Sequence, residues 1–185
     1  RRLGFPIESA RLFQSLIRDS KAEAFLEVAL MGLGERYWGQ KDMRAARAVF
    51  ERYRLQFPVG RFAGQALIGI LTSFEGEGNT SGLVKLGKQW LIHNPRHPDR
   101  ALVQLKVADA LRQAKRDAEA APLYESVLKA GMDLSALDRL RYADVLARLN
   151  RQEPALALYK QALIAGLEPE QEAWAQFQIV QLARG

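Results

Sequence analysis

Residues 27–60 read EVALMGLGERYWGQKDMRAARAVFERYRLQFPVG, and this stretch decides the fold. Leu33 and Tyr37 stand four apart, so on a helix they share one face, with Leu30 one turn earlier. Gly34 and Ala46 are small, which lets two helices approach closely, and Phe50 has the bulk to fill the gap between them. Pro58 has no N–H and stops the second helix. The segment reads as two antiparallel helices joined by a short turn.

The pattern repeats outward. It returns as Val107, Ala108, Leu111, Ala120, Tyr124 and Val127, and again as Tyr142, Ala143, Leu146, Ala155, Tyr159 and Ala162. Ala120 with Tyr124 and Ala155 with Tyr159 echo Ala46 with Phe50, and these two echoes lie 35 residues apart. Gly131 and Gly166 take the place of the closing proline, since glycine also ends helices. The segment between is degenerate. Its expected helices are Gln65–Phe74 and Gly82–His93, closed by Pro95. Ile70, Leu71 and Phe74 occupy first-helix positions, whereas Leu83, Gly87 and Trp90 exchange large and small on the second. Gly87 is expected to make room for Leu71, Leu83 and Trp90. At the ends, Glu8–Ser20 reads as the second helix of a truncated repeat, with Pro6 near its start and Phe13 and Leu16 apolar. Glu168–Ala183 reads as one further helix, with Trp174, Phe177 and Leu182 expected inward.

A repeat of about 34 residues with Leu-Gly and an aromatic on the first helix, Ala and an aromatic on the second, and a closing Pro resembles the tetratricopeptide repeat. Residues 27–60 depart from it at one small position, where Tyr53 stands for Ala. The resemblance implies an all-α fold of about ten helices, in helix-turn-helix pairs stacked in a right-handed superhelix. The expected organisation is a single array: a partial repeat at 1–26, full repeats at 27–60, 64–97, 101–134 and 136–169, and a terminal or capping helix at 170–185. The joint Phe57-Pro58-Val59-Gly60-Arg61-Phe62-Ala63 is also similar to the Phe-Pro-x-Ser-x-x-Ala joints of bacterial cell-envelope repeat proteins. Those include Tol-Pal-associated, outer-membrane-assembly and exopolysaccharide-export proteins. Gly60 departs from that pattern at the Ser position.

The family likeness implies a concave inner surface lined by the first helix of each pair. The groove residues it implies are Met31, Glu35 and Trp38; Ile68, Thr72 and Glu75; Leu105, Asp109 and Arg112; and Leu140, Asp144 and Arg148. Val28 and Gln65 share that face. Met31, Ile68, Leu105 and Leu140 form an apolar row beside the acids Glu35, Asp109 and Asp144. Such a groove suits a peptide segment. The same row is equally read as packing between repeats, and Trp38 as either an anchor or a packed side chain. Family members that clamp a chaperone carboxylate use Lys, Asn and Arg at positions that here hold Met31, Glu35, Leu105 and Asp109. That clamp is absent. Arg44, Arg47 and Arg54 read as solvated charge on the second helix.

Composition limits the remaining classes. The net charge is +6, from 27 Lys and Arg against 21 Asp and Glu, without a dense basic run, so nucleic-acid binding is not expected. There is no cysteine, which excludes disulfides and thiolate metal sites. The longest nearly apolar stretch, Phe62–Phe74, is shorter than the roughly 18 residues of a membrane span. The His93-Asn94-Pro95-Arg96-His97-Pro98 turn holds both histidines but is broken by two prolines, and no metal site is expected. Glu75–Gly82 lacks calcium-loop and phosphate-loop spacing and reads as a turn, with Thr80 or Ser81 as the helix cap. No catalytic constellation and no cofactor are expected. The expected function is a non-catalytic scaffold that binds a protein or peptide in its groove, as part of a larger assembly or secretion protein of the bacterial envelope or periplasm. The alternatives are a structural spacer, a homo-oligomerising module, or the regulatory repeats of a larger enzyme.

Overall fold

A computed structural model describes residues 11–12, 14–15, 17 and 23–183. Every regular element among them is an α-helix. Nine are bounded: α1 (Glu23–Gly39), α2 (Met43–Gln56), α3 (Ala63–Gly76), α4 (Thr80–His93), α5 (Arg100–Gln113), α6 (Asp117–Lys129), α7 (Ala136–Arg148), α8 (Gln152–Ala165) and α9 (Pro169–Leu182). Residues 11, 12, 14, 15 and 17 are helical, while Pro6, Phe13 and Leu16 of the expected leading helix lie outside the described residues. The chain forms two compact units, Arg1–Leu86 and Gly87–Gly185, and the division falls within α4.

In the first unit, Ala46, Phe50 and Tyr53 recur at helical spacing and form the buried face of α2. Phe50 lies between two glycines. A Cβ on Gly34 of α1 would stand 2.6 Å from Phe50 Cζ, and one on Gly69 of α3 would stand 2.6 Å from two other ring carbons. Glycine is required at both positions by close approach. Trp38 meets Phe50 edge-on, with centroids 5.7 Å apart, so this indole packs. Asp42 accepts the Ala45 N–H and caps α2. The helix ends at Gln56, two residues before Pro58.

Tyr53, the departure from the usual Ala, is fully buried. Its hydroxyl donates to Glu27 Oε2 at 2.7 Å and accepts the Phe62 N–H at 3.0 Å, tying α1 to the joint before α3. A Cβ on Gly60 would lie 2.5 Å from that hydroxyl and 2.8 Å from Phe57 Cβ, so close approach requires glycine there. Arg47 corrects the expectation of a merely solvated charge. It pairs with Glu77 at 3.2 Å and Glu51 at 3.3 Å, and its guanidinium lies 4.9 Å from the Phe74 ring centroid. The hydrogen bonds that Arg47 donates to Glu77, and the further bond to Glu51 with its charge, raise its pKa against the opposing effect of burial. The cap of α4 is also corrected: Asn79 Oδ1 accepts the Gly82 N–H, and neither Thr80 nor Ser81 is the capping residue. Asn favours that position because its short side chain reaches back to the first turn.

In the second unit, Val103, Val107 and Leu111 of α5 are buried, as are Ala120, Tyr124 and Val127 of α6. Tyr142, Ala143 and Leu146 of α7 and Ala155, Tyr159 and Ala162 of α8 repeat that arrangement. Tyr124 stacks on Tyr142 with centroids 4.9 Å apart and 17° between the planes. Ser135 caps α7 by accepting the Asp138 N–H. Gly131 and Gly166, at φ +77° and +89°, follow the ends of α6 and α8.

One regularity is invisible in the residue types. The turns before α2, α4, α6 and α8 each carry one left-handed residue: Lys41, Gly78, Lys115 and Asn150. Each lets the chain reverse within a few residues, and three of the four are not glycine.

Candidate binding surfaces

In the first unit, Val28, Met31, Gly32 and Glu35 on α1 face Phe62 and Gln65 at the start of α3 across a hollow of about 270 Å³. Met31 is its buried floor, while Val28, Glu35 and Gln65 are exposed. Phe62 is held as a wall by its N–H bond to Tyr53, by edge-on contact with that ring at 6.3 Å, and by Arg61, whose guanidinium lies 4.5 Å from its centroid. Ile68 and Thr72 are half-buried on α3, and Glu75 is exposed near its end.

The three acids aligned by the sequence occupy different environments. Glu35 is exposed at the first-unit hollow. Asp109 is buried and paired with Arg112 at 2.7 Å and Arg141 at 3.4 Å, while Gln113 donates to its other oxygen at 3.2 Å. Asp144 accepts the Tyr159 hydroxyl at 2.7 Å and the Trp174 Nε1–H at 3.0 Å. Burial and this bond to Asp144 push the Tyr159 phenol well up. Leu105 is half-buried, Leu140 is buried, and Arg148 is exposed, held by Asp117 through two bonds of 2.7 Å. Those bonds raise the Arg148 pKa against desolvation.

A larger hollow, about 600 Å³, lies between α7 and α9. Leu140, Glu170, Gln171, Ala173, Trp174 and Phe177 line it. Here the expectation that Trp174 and Phe177 point inward is overturned. Trp174 is 47% and Phe177 52% exposed, and the fully buried residue of α9 is Ala175. Ala175, Ile179 and Leu182 form the inward stripe, and Trp174, Phe177 and Val180 form a second apolar stripe beside it. The signal was present in the sequence, because α9 has more apolar positions than one buried face can use.

Both histidines lie around the turn after α4. His93 is exposed and contacts the Gln89 carbonyl through Nδ1, and His97 meets Trp90 edge-on at 4.8 Å. Among the described residues no three His, Cys, Asp or Glu gather as a metal site, and no helix is long and apolar enough to cross a membrane.

No protein-family model matches the chain, and no curated protein matches it. Solved structures do. A tetratricopeptide repeat protein from Parabacteroides merdae aligns over 97% of this chain at TM-score 0.61 and 15% identity. The fold is that of the tetratricopeptide-like repeat proteins. The chain spans 65% of the length of that Parabacteroides protein. A Podosopora anserina protein named for kinesin light chain, with nearly identical TPR-like repeats, aligns over 86% of both chains at TM-score 0.65 and 15% identity. A singly substituted form of that fungal protein aligns over the same shares at TM-score 0.66 and 15% identity. At this identity the likeness concerns the tetratricopeptide-like fold alone.

Proposed function

We propose that this chain is a non-catalytic interaction scaffold that holds a protein or peptide partner on the first helices of its pairs. One observation carries the reading. In each unit the hollow opens on first helices, α1 with α3 and α7 with α9, and exposed apolar side chains, Val28 in one and Trp174 and Phe177 in the other, stand beside polar ones in its wall. Exposed apolar concavities of this kind are where peptide segments dock in helical repeats. The groove acids divide in this reading. Glu35 faces the partner, whereas Asp109 and Asp144 hold the helices in place.

A photo-crosslinking residue at Val28, on the α1 hollow, tests this against one at Leu55, which is exposed on α2. In cells of the source organism a partner is expected to cross-link from Val28 and not from Leu55. Cross-linking from Leu55 alone, or from neither, would reject the proposal. The Phe57–Ala63 joint supports a bacterial cell-envelope setting. Fractionation checks it: the native protein is expected with the periplasm or membranes, and recovery in the cytosol alone would rule that setting out.

A further inference from the structure

We propose that the hollow between α7 and α9 takes a cationic amphipathic segment, with a bulky apolar side chain seated against Trp174 and Phe177 and Lys or Arg residues on the flanking rim. The inference rests on the binding reading above and specifies the partner's chemistry. Its first support is the double face of α9. The helix rests on its neighbours through Ala175, and although Trp174 also donates to Asp144 of α7, its ring and that of Phe177 stay about half exposed. Half-exposed rings over a buried Leu140 give an apolar anchor site with depth, about 600 Å³, and not an isolated surface residue.

The second support is charge. The only charged residues of α9 are Glu170 and Glu172, with Glu168 just before it. The arginines of α7 are already neutralised: Arg139 by Asp133, Arg141 by Asp109 and Asp138, and Arg148 by Asp117. On α8, Glu153 and Lys160 offset each other. By contrast Glu168, Glu170 and Glu172 have no ion pair among the described residues. The helix dipole favours carboxylates in the first turn of α9, and Asp144, late in α7, is already held by Tyr159 and Trp174. A chain of net charge +6 thus presents, between α7 and α9, an apolar hollow with an acidic edge. A neutral apolar segment would leave those carboxylates uncompensated, an acidic one would be repelled, and a cationic one satisfies both features.

A random 15-residue peptide library displayed on phage and panned on the whole chain tests the inference. The selected peptides should carry Trp, Phe or Leu flanked by Lys or Arg. In fluorescence-anisotropy titrations their affinity should fall about thirtyfold in Trp174→Ala, as for a central aromatic anchor. It should fall about fivefold in the Glu170→Lys, Glu172→Lys double variant, as for rim charges. Both variants change exposed side chains, and circular dichroism checks that they fold. Selected peptides that are neutral or acidic, that ignore Trp174→Ala, or that never emerge would overturn the inference. So would self-association, seen by sedimentation and abolished by Trp174→Ala, since the occupant would then be a second copy. Cross-linking at Val28 in the first unit stands apart from all of these results, so the scaffold reading and this partner chemistry can fail separately.

Discussion

Gly69 lies against the face of Phe50 so closely that an added Cβ would stand 2.6 Å from two of its ring carbons. The aromatic of α2 is therefore locked by α3 as well as by Gly34 of α1. Gly69→Ala should cost about 1–3 kcal/mol, the usual penalty for overpacking. Phe50→Leu makes the space, so the double variant should be less destabilised than the sum of the two single changes. Urea unfolding of the four proteins measures this coupling. Additive effects would mean that the contact relaxes without cost.

Lys115 holds φ at +56° in the turn between α5 and α6, a conformation that costs a side-chain-bearing residue about 1–2 kcal/mol relative to glycine. Glycine relieves that strain but loses more conformational freedom on folding, which offsets part of the gain. Lys115→Gly should therefore stabilise the chain by up to about 1 kcal/mol. An upward shift of the urea midpoint with an unchanged slope is the expected result. A downward shift would show that the lysine side chain contributes more than its backbone strain removes.

These two positions show where the sequence was readable. Spacing of Leu33, Gly34, Ala46 and Phe50 specified an α1–α2 pair because burial on one face imposes a helical period. Gly69 was not legible as a partner of Phe50, since the contact depends on how the next pair stacks. The left-handed turns were not legible because Lys41, Gly78, Lys115 and Asn150 share a backbone angle and no side-chain chemistry. The candidate surface was half legible. Val28, Met31, Glu35 and Gln65 line one hollow. Apolarity alone places Trp174 and Phe177 inward, and it cannot distinguish which of two apolar stripes is covered.

Asp109 and Glu35, which the sequence aligns, should respond differently to substitution. Asp109→Ala strands Arg112 in a half-buried setting, leaves Arg141 with Asp138 alone and removes charge-assisted bonds, at about 2–3 kcal/mol. Glu35→Lys changes an exposed side chain and should move stability by no more than about 0.5 kcal/mol. Thermal melts of both variants make the comparison. A large loss in Glu35→Lys would show that this residue also has a structural partner.

The tyrosines predict the alkaline limit. Burial, reinforced for Tyr53 by its bond to Glu27, pushes the Tyr53 and Tyr142 phenols up to about 12, and burial raises those of Tyr124 and Tyr159 further. An ordinary tyrosine ionises near 10 when unfolded. The folded state therefore keeps the phenols neutral where the unfolded state would release protons. This stability is fully present below about pH 10 and is lost as pH rises toward the folded values. Absorbance at 295 nm should show these phenols ionising together with loss of helix. Titration of all tyrosines near pH 10 with helix intact would contradict the packing described.

Glu119 sets an acid limit of opposite sign. Its bond to Arg116, then its bond to Lys88, with their positive charges adding, lowers its pKa to about 2 from an ordinary value near 4.5. Both contacts are short, 2.7 Å to Arg116 Nε and 2.6 Å to Lys88 Nζ. The folded chain thus holds the carboxylate charged where the unfolded chain would bind a proton. The contribution is present above about pH 4.5 and is lost as pH falls toward 2. Glu119→Gln should leave a shallower decline of the melting temperature between pH 5 and 3 than the unaltered chain shows, because one group that binds protons on unfolding is gone. Salt should shrink the difference, since Arg116, Lys88 and Glu119 are each partly exposed and are screened at high ionic strength. Equal slopes for the two proteins in low salt would mean that the pair does not persist in solution.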